Sequence, residues 1–349
     1  MNVQKKLRVL FLANVPVSDI AASLGGATVL AQGILDFIIK DSRLCVKAYP
    51  LRRTWKPKWH IIDHILWIFR FPFLAAKSDV ISIHATWDFT FTTAPLVWLW
   101  AKLLNKKVVY HFFGGNFHEQ YEALPGFLKW LYRKTLLSSD TVFLETKAQI
   151  RYFADKGISN RVWLPNARNP ALIKRDEAPF SKRFVFISRV IPEKGIGEIL
   201  EAAQLLPDDY VIDVYGPIDE RYLTEKDFLG TRITYKGVLK PDEVDAALRQ
   251  YDVLLLPTWF KYEGYPGIVL EALSMGIPVI TTYWNSIPEI IEDDINGKLV
   301  QIKNPVQLYE AMMYFNEENY KKFSENALNS FDTFDSESVF RKIVNSYFE

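Results

Sequence analysis

Two glutamates, Glu263 and Glu271, bracket the run Gly264, Tyr265, Pro266, Gly267, Ile268. Their spacing puts one carboxylate before a helix start and the other about two turns inside it. Gly264 and Gly267 leave the backbone bare. The first N–H groups of such a helix have no carbonyl partner, so they can hold phosphate oxygens. A carboxylate inside the helix can accept two ribose hydroxyls, and one ahead of it can hold sugar hydroxyls. The spacing alone also fits a helix with a Glu in its first turn and a solvated Glu271. The two glycines, Pro266 and the following Ala-Leu-Ser-Met-Gly-Ile-Pro at 272–278 favour the functional reading.

A second pair supplies positive charge. Arg189 closes a strand-like run, and Lys194-Gly195 opens a helical one. A bond to phosphate that breaks beside them would leave negative charge on the departing group. Fixed cations stabilise that charge better in the transition state than in the ground state. Both residues are expected at the edge of a crevice, where replacement spares folding; the alternative is a solvent-facing pair. No Asp-x-Asp occurs in the chain, so a metal-free route is expected, with protein cations in the place of a divalent ion.

Three further features could bear on chemistry. Gly25-Gly26 follows the first strand and precedes a helix, as a tight turn or an approach to a ligand. His111 closes a strand two residues before Phe113, so the two share a strand face; His84 ends a neighbouring strand. For both, a structural histidine is an open alternative. Arg52, Arg53, Trp55, Lys56, Lys58 and Trp59 mix cations with indoles and lead into an aromatic stretch at 60–77. That mixture suits an anionic membrane surface or an acceptor presented there. A core helix with basic caps is the alternative, and no nucleic-acid motif accompanies it.

These groups need a frame. The 349 residues suffice for two domains. Strand-like runs at 8–13, 79–84, 107–112, 141–144 and 162–164 alternate with helical periodicity. The pattern repeats with runs at 184–188, 211–215, 233–235, 253–256 and 278–281, and helices at 25–40, 195–206, 242–250, 267–274, 306–315 and 336–347. Unalternated apolar strands between helices imply parallel sheets covered on both faces. Prolines at 165, 170 and 179 mark the break. Doubly wound domains bind ligands beyond the carboxyl ends of their strands.

Charge is divided unevenly. Residues 1–170 carry 23 Lys and Arg against 11 Asp and Glu, although the chain's net charge is only +1. A basic half suits an anionic partner, or the acidic other half. The single cysteine, Cys45, excludes an intrachain disulfide. No leader and no membrane-spanning stretch is read, so a cytoplasmic protein is expected, with peripheral association at the inner face of the plasma membrane.

With these motifs in place, the chain resembles the retaining GT-B glycosyltransferases of glycosyltransferase family 4 over most of 140–300. The resemblance rests on Pro165-Asn166, Ile187-Ser188-Arg189 through Lys194-Gly195, Tyr215-Gly216, Gly237-Val238, Leu256-Pro257, the glutamate pair, Pro288-Glu289 and Asn296-Gly297. Ala167 stands where the family usually has glycine. The resemblance implies an α/β GT-B fold, two Rossmann-like domains facing across a cleft. Residues 1–168 would form the acceptor domain, with 336–349 packing back on it, and 172–335 the nucleotide-sugar donor domain.

The resemblance also assigns roles. Glu263, Arg189, Lys194 and His111 would be catalytic. Gly25, Gly26, Gly216, Val238, Gly264, Tyr265, Gly267, Ile268 and Glu271 would bind donor. Phe113 occupies the place of a family histidine that contacts the donor sugar, so either His111 takes over or the contact is lost. Retention and the absence of a metal cofactor follow from the family. The implied reaction moves a sugar from a nucleotide-diphosphate donor to a saccharide acceptor, lipid-linked in cell-envelope polysaccharide assembly. An epimerase would need N-terminal carboxylates as acid and base, and only Glu119, Glu122 and Glu145 are glutamates there. A non-catalytic sugar-nucleotide binder is the other alternative. A dehydrogenase is disfavoured, because no Gly-x-Gly-x-x-Gly follows the first strand.

Overall fold

The computed structural model describes residues 5–17, 25–52, 60–171 and 179–349. The chain divides into two units, one of residues Met1–Asn166 with Ser336–Glu349 and one of Ala167–Asp335.

The first unit holds β1 (Leu7–Leu12), β2 (Leu44–Tyr49), β3 (Val80–Ala85), β4 (Lys107–Phe112), β5 (Thr141–Leu144) and β6 (Arg161–Trp163). They form one parallel sheet in the order β2-β1-β3-β4-β5-β6. All six residues of β3 are buried, as expected of an inner strand with helices on both faces. The second unit holds β7 (Arg183–Ile187), β8 (Val211–Tyr215), β9 (Ile233–Tyr235), β10 (Val253–Leu256), β11 (Val279–Thr282) and β12 (Gly297–Val300). Its parallel sheet runs β12-β11-β10-β7-β8-β9, the order of a dinucleotide-binding Rossmann sheet, which reverses direction between β7 and β10.

Two strands escape the sequence reading. β2 contains Lys47 and alternates in exposure because it is an edge strand. β12 opens on Gly297 at the other sheet's edge, where Asn296-Gly297 reads as a turn. The closing helix, Ser336–Phe348, buries Val339, Phe340, Ile343, Val344 and Tyr347. Phe340 meets Phe37 edge to face at 5.9 Å, and Tyr347 reaches β3 by donating to Ser82 Oγ at 2.9 Å.

The aromatic stretch after residue 60 forms the helix His60–Ala76. One face is core: Trp67, Phe71 and Ala75 are buried, and Trp67 Nε1 donates to the Leu51 carbonyl at 3.0 Å. The opposite stripe, Ile62, Ile65, Phe69 and Phe73, is exposed. The helix Ala94–Leu103 packs beside it and repeats the division, burying Val97 and Ala101 while exposing Leu96, Leu99, Trp100 and Leu103. Among the described residues, no helix is long and apolar enough to cross a membrane.

Candidate functional site

The second sheet reverses direction where β7 and β10 pair, and the loops that leave their carboxyl ends interlock. Trp259 N donates to the Glu193 carbonyl at 2.8 Å. Thr258 Oγ1 reaches the same oxygen at 3.1 Å. Gly195 sits at φ 85°, where a side chain would collide with the Pro257 carbonyl, so this close approach requires glycine. The interlock brings Lys194 and Glu263 into an ion pair, with both residues only 8 % exposed. Thr258 Oγ1 donates to Glu263 Oε2 at 2.9 Å.

Arg189 is exposed. Its guanidinium and the Lys194 ammonium each lie 5.1 Å from the centre of the Phe260 ring. One aromatic ring thus gathers both cations, an attraction of about 0.5–2 kcal/mol each. A buried carboxylate paired with ammonium and hydroxyl, beside an exposed guanidinium, can take both ends of a charged, hydroxylated ligand.

The glycine loops close around the same strand ends. Gly216, at φ 136°, lies so tightly against the Ser188 carbonyl that any side chain would overlap it. Gly216 N donates to the Gly237 carbonyl at 2.9 Å, which draws Gly237 and the exposed Val238 to the segment that carries Arg189.

The helix Gly267–Ser274 begins after Pro266. Glu271 lies within it, and its Oε1 accepts from Arg168 Nε at 2.6 Å. The resemblance named Pro165-Asn166 and passed over Arg168, whose partner lies 103 positions away. Ile268 is partly exposed near the helix start. Tyr265 is buried and donates to Glu289 Oε2 at 2.6 Å. Its ring therefore braces the loop, which leaves its backbone, like that of partly exposed Gly264, as what a donor could meet.

In the first unit, Gly25 is the N-cap of the helix Gly26–Ile38 and donates from N to Thr28 Oγ1 at 3.1 Å. Among the described residues, no atom would crowd a side chain at Gly25 or Gly26. Arg52 pairs with Asp88. Arg53, Trp55, Lys56, Lys58 and Trp59 lie outside the described residues.

His111, expected to be either catalytic or structural, lies in the interior of the first unit. It sits on β4, 1 % exposed, with its ring among Phe113, Phe143 and His84. That is the surrounding of a core histidine, the structural alternative that the sequence leaves open. Its Nδ1 lies 3.2 Å from His84 Nδ1, and His84 Nε2 lies 2.8 Å from Ser82 Oγ, which accepts from Tyr347. The chain ties the closing helix to the sheet. Two facing Nδ1 atoms require one donor and one acceptor, so the accepting ring must be neutral, and a neutral donor as well leaves the pair uncharged.

Burial enforces that neutrality. It takes His84 well below its ordinary range and His111 down to about 3. In the unfolded chain both titrate near pH 6.5. The unfolded state therefore binds more protons from about pH 3 to 6.5, and stability rises with pH across that window. The contribution is complete above about pH 7 and is lost as pH falls below 6.5. Each imidazole adds a slope of at most about 1.4 kcal/mol per pH unit. Urea melts of the first unit should show a clearly lower midpoint at pH 5 than at pH 7.5, and His111→Phe should flatten that dependence. Equal midpoints for the native chain would contradict the neutral pair.

Residues 181–317 match the family model described as Glycosyl transferases group 1. The amylovoran biosynthesis glycosyltransferase AmsK of Erwinia amylovora is 28 % identical over 136 residues, covering 36 % of this chain and 33 % of its own. An uncharacterized 41.2 kDa protein in the cps region of Klebsiella pneumoniae is 25 % identical over 308 residues, covering 78 % and 80 %. The chain spans well under half the length of the first curated relatives it matches. Among solved structures, the sucrose-phosphate synthase of Thermosynechococcus elongatus superposes with a TM-score of 0.74 at 13 % identity, over 98 % of both chains. Anabaena HepE in complex with UDP superposes at 0.71 with 14 % identity, over 97 % of this chain and 99 % of that one. The expected fold class holds: this is the GT-B fold, with a glycosyl transferases group 1 segment in its second unit.

Proposed function

We propose that this GT-B chain, with its glycosyl transferases group 1 segment, is a retaining glycosyltransferase for cell-envelope polysaccharide. It would move a sugar from a nucleotide-diphosphate donor to a saccharide acceptor. The carrying observation is the Lys194–Glu263–Thr258 cluster at the β7/β10 reversal, with Arg189 on the same Phe260 ring. Arg189 and Lys194 stabilise the departing diphosphate, Glu263 holds hydroxyls of the transferred sugar, and Glu271 accepts the ribose hydroxyls. In a front-face displacement, a leaving phosphate oxygen takes the acceptor's proton while the acceptor oxygen bonds to the anomeric carbon. No protein nucleophile is then required. Protein cations replace a divalent ion, so no metal cofactor is needed.

The relatives support polysaccharide assembly, since AmsK is named for amylovoran biosynthesis. HepE's complexes with UDP and UDP-glucose support a nucleotide-sugar donor. A thermal-shift panel of UDP- and GDP-sugars tests the donor: a bound nucleotide sugar raises the melting temperature by mass action. No shift with any member would count against it.

The acceptor is proposed to be lipid-linked and met at the cytoplasmic face of the membrane. Phe69 and Phe73, 70 % and 76 % exposed, stand beside the exposed stripe of the helix Ala94–Leu103. Apolar rings on a basic half suit shallow insertion into an anionic bilayer. The protein should sediment with anionic liposomes at low salt, bind neutral ones weakly and be released at high salt. Replacing Phe69 and Phe73 together by Ser should lower that binding about tenfold while donor hydrolysis persists. If the native chain ignores anionic liposomes, the acceptor is soluble and the stripes serve another contact.

A further inference from the structure

We infer that Arg168 is a positioning residue of the nucleotide site: it holds the Glu271 carboxylate in the attitude that accepts the ribose hydroxyls. The inference rests on the donor reading above and adds a residue that neither the motifs nor the family roles contain. Arg168 Nε donates to Glu271 Oε1 at 2.6 Å, with the two side chains 13 % and 25 % exposed. At that burial the pair is screened less than a surface pair. It also orients a side chain that three torsions would otherwise leave free.

Arg168 is itself held from several directions. Its N–H donates to the Phe334 carbonyl at 3.1 Å, its backbone bridges to Asp335, and Nη1 donates to the Ala167 carbonyl at 3.0 Å. The guanidinium lies directly over Gly267, where any Cβ would overlap it. Gly267 thus has a second reason to be glycine besides backbone approach to phosphate: the arginine needs that space to reach Glu271.

The placement is electrostatically unusual. A guanidinium at a helix N-terminus meets the positive end of the helix dipole. The Glu271 carboxylate, one turn further on, offsets that cost. The bond uses Oε1, and a carboxylate has a second oxygen and further lone pairs for hydroxyl donors. A fixed carboxylate loses less freedom when the nucleotide binds, and this preorganisation tightens binding. Because the effect runs through Glu271, it belongs to the ribose hydroxyls and not to the nucleotide as a whole.

Calorimetric titration with UDP and GDP, each beside its 2′,3′-dideoxy form, tests this on the full chain. Arg168→Ala should weaken the diphosphate that the native chain binds by about tenfold or more, yet change its dideoxy form less than twofold. Arg168→Lys should recover part of the loss. Arg168→Gln, which keeps bulk over Gly267, should behave as the alanine variant. Equal losses for ribo and dideoxy forms would mean that Arg168 acts on the fold or the phosphates, and the inference falls. Unchanged or tighter ribonucleotide binding would overturn it as well. Native protein that binds neither UDP nor GDP would remove the donor reading itself, and the inference with it.

Discussion

Lys194→Ala should lower nucleoside-diphosphate release by at least two orders of magnitude and also weaken the second unit. The kinetic loss follows from removing a cation that faces charge developing on the leaving diphosphate, about 3 kcal/mol or more. The stability loss follows from burial. Lys194 is enclosed with Glu263, and its removal leaves a buried carboxylate with Thr258 as its remaining side-chain partner among the described residues. Breaking such a pair from one side costs about 3–5 kcal/mol. This corrects the expectation that Lys194, at a crevice edge, could be replaced without harm to the fold. Lys194→Ala combined with Glu263→Gln should recover much of the stability and none of the turnover. Chemical denaturation with a release assay separates the two effects. A single variant of native stability and near-native turnover would refute both parts.

Arg189→Ala should lose a similar factor, about a hundredfold or more in turnover, with an unchanged denaturation midpoint. Its side chain is exposed and rests on Phe260, so no buried partner is orphaned. The contrast between the two cations is the diagnostic: equal kinetic damage, but structural damage only at Lys194. Near-normal kinetics in Arg189→Ala would take the diphosphate away from the β7 loop.

The inner strands were legible because each is a short apolar run between helical periods. β4, β5, β8 and β10 lie where their patterns place them. β2 and β12 were not, since edge position lets polar residues and a glycine stand in a strand. Glu263 and Lys194 were legible as residues of interest, but their pairing was not. It depends on two loops, 69 positions apart, meeting at a sheet reversal. Arg168 gave no local signal, because its partner, though in direct contact, lies 103 positions away in the sequence. His111 could be read either way, because a histidine at a strand end looks alike whether its ring points to solvent or to another histidine. Only the packing of His84, Ser82 and Tyr347 separates the two cases.

The claim at the centre of this account is that the residues at the β7/β10 reversal bind a nucleotide-diphosphate sugar and release its sugar without a metal. Nucleoside-diphosphate release by the purified native chain, from a panel of UDP- and GDP-sugars in excess EDTA, measures it directly. Steady release from at least one donor is expected, at a rate that added magnesium or manganese leaves unchanged. Release that disappears in EDTA and returns with either metal would contradict the role given to Arg189 and Lys194. No release from any donor under either condition, with lipid-linked and soluble acceptors supplied, would contradict the enzyme itself.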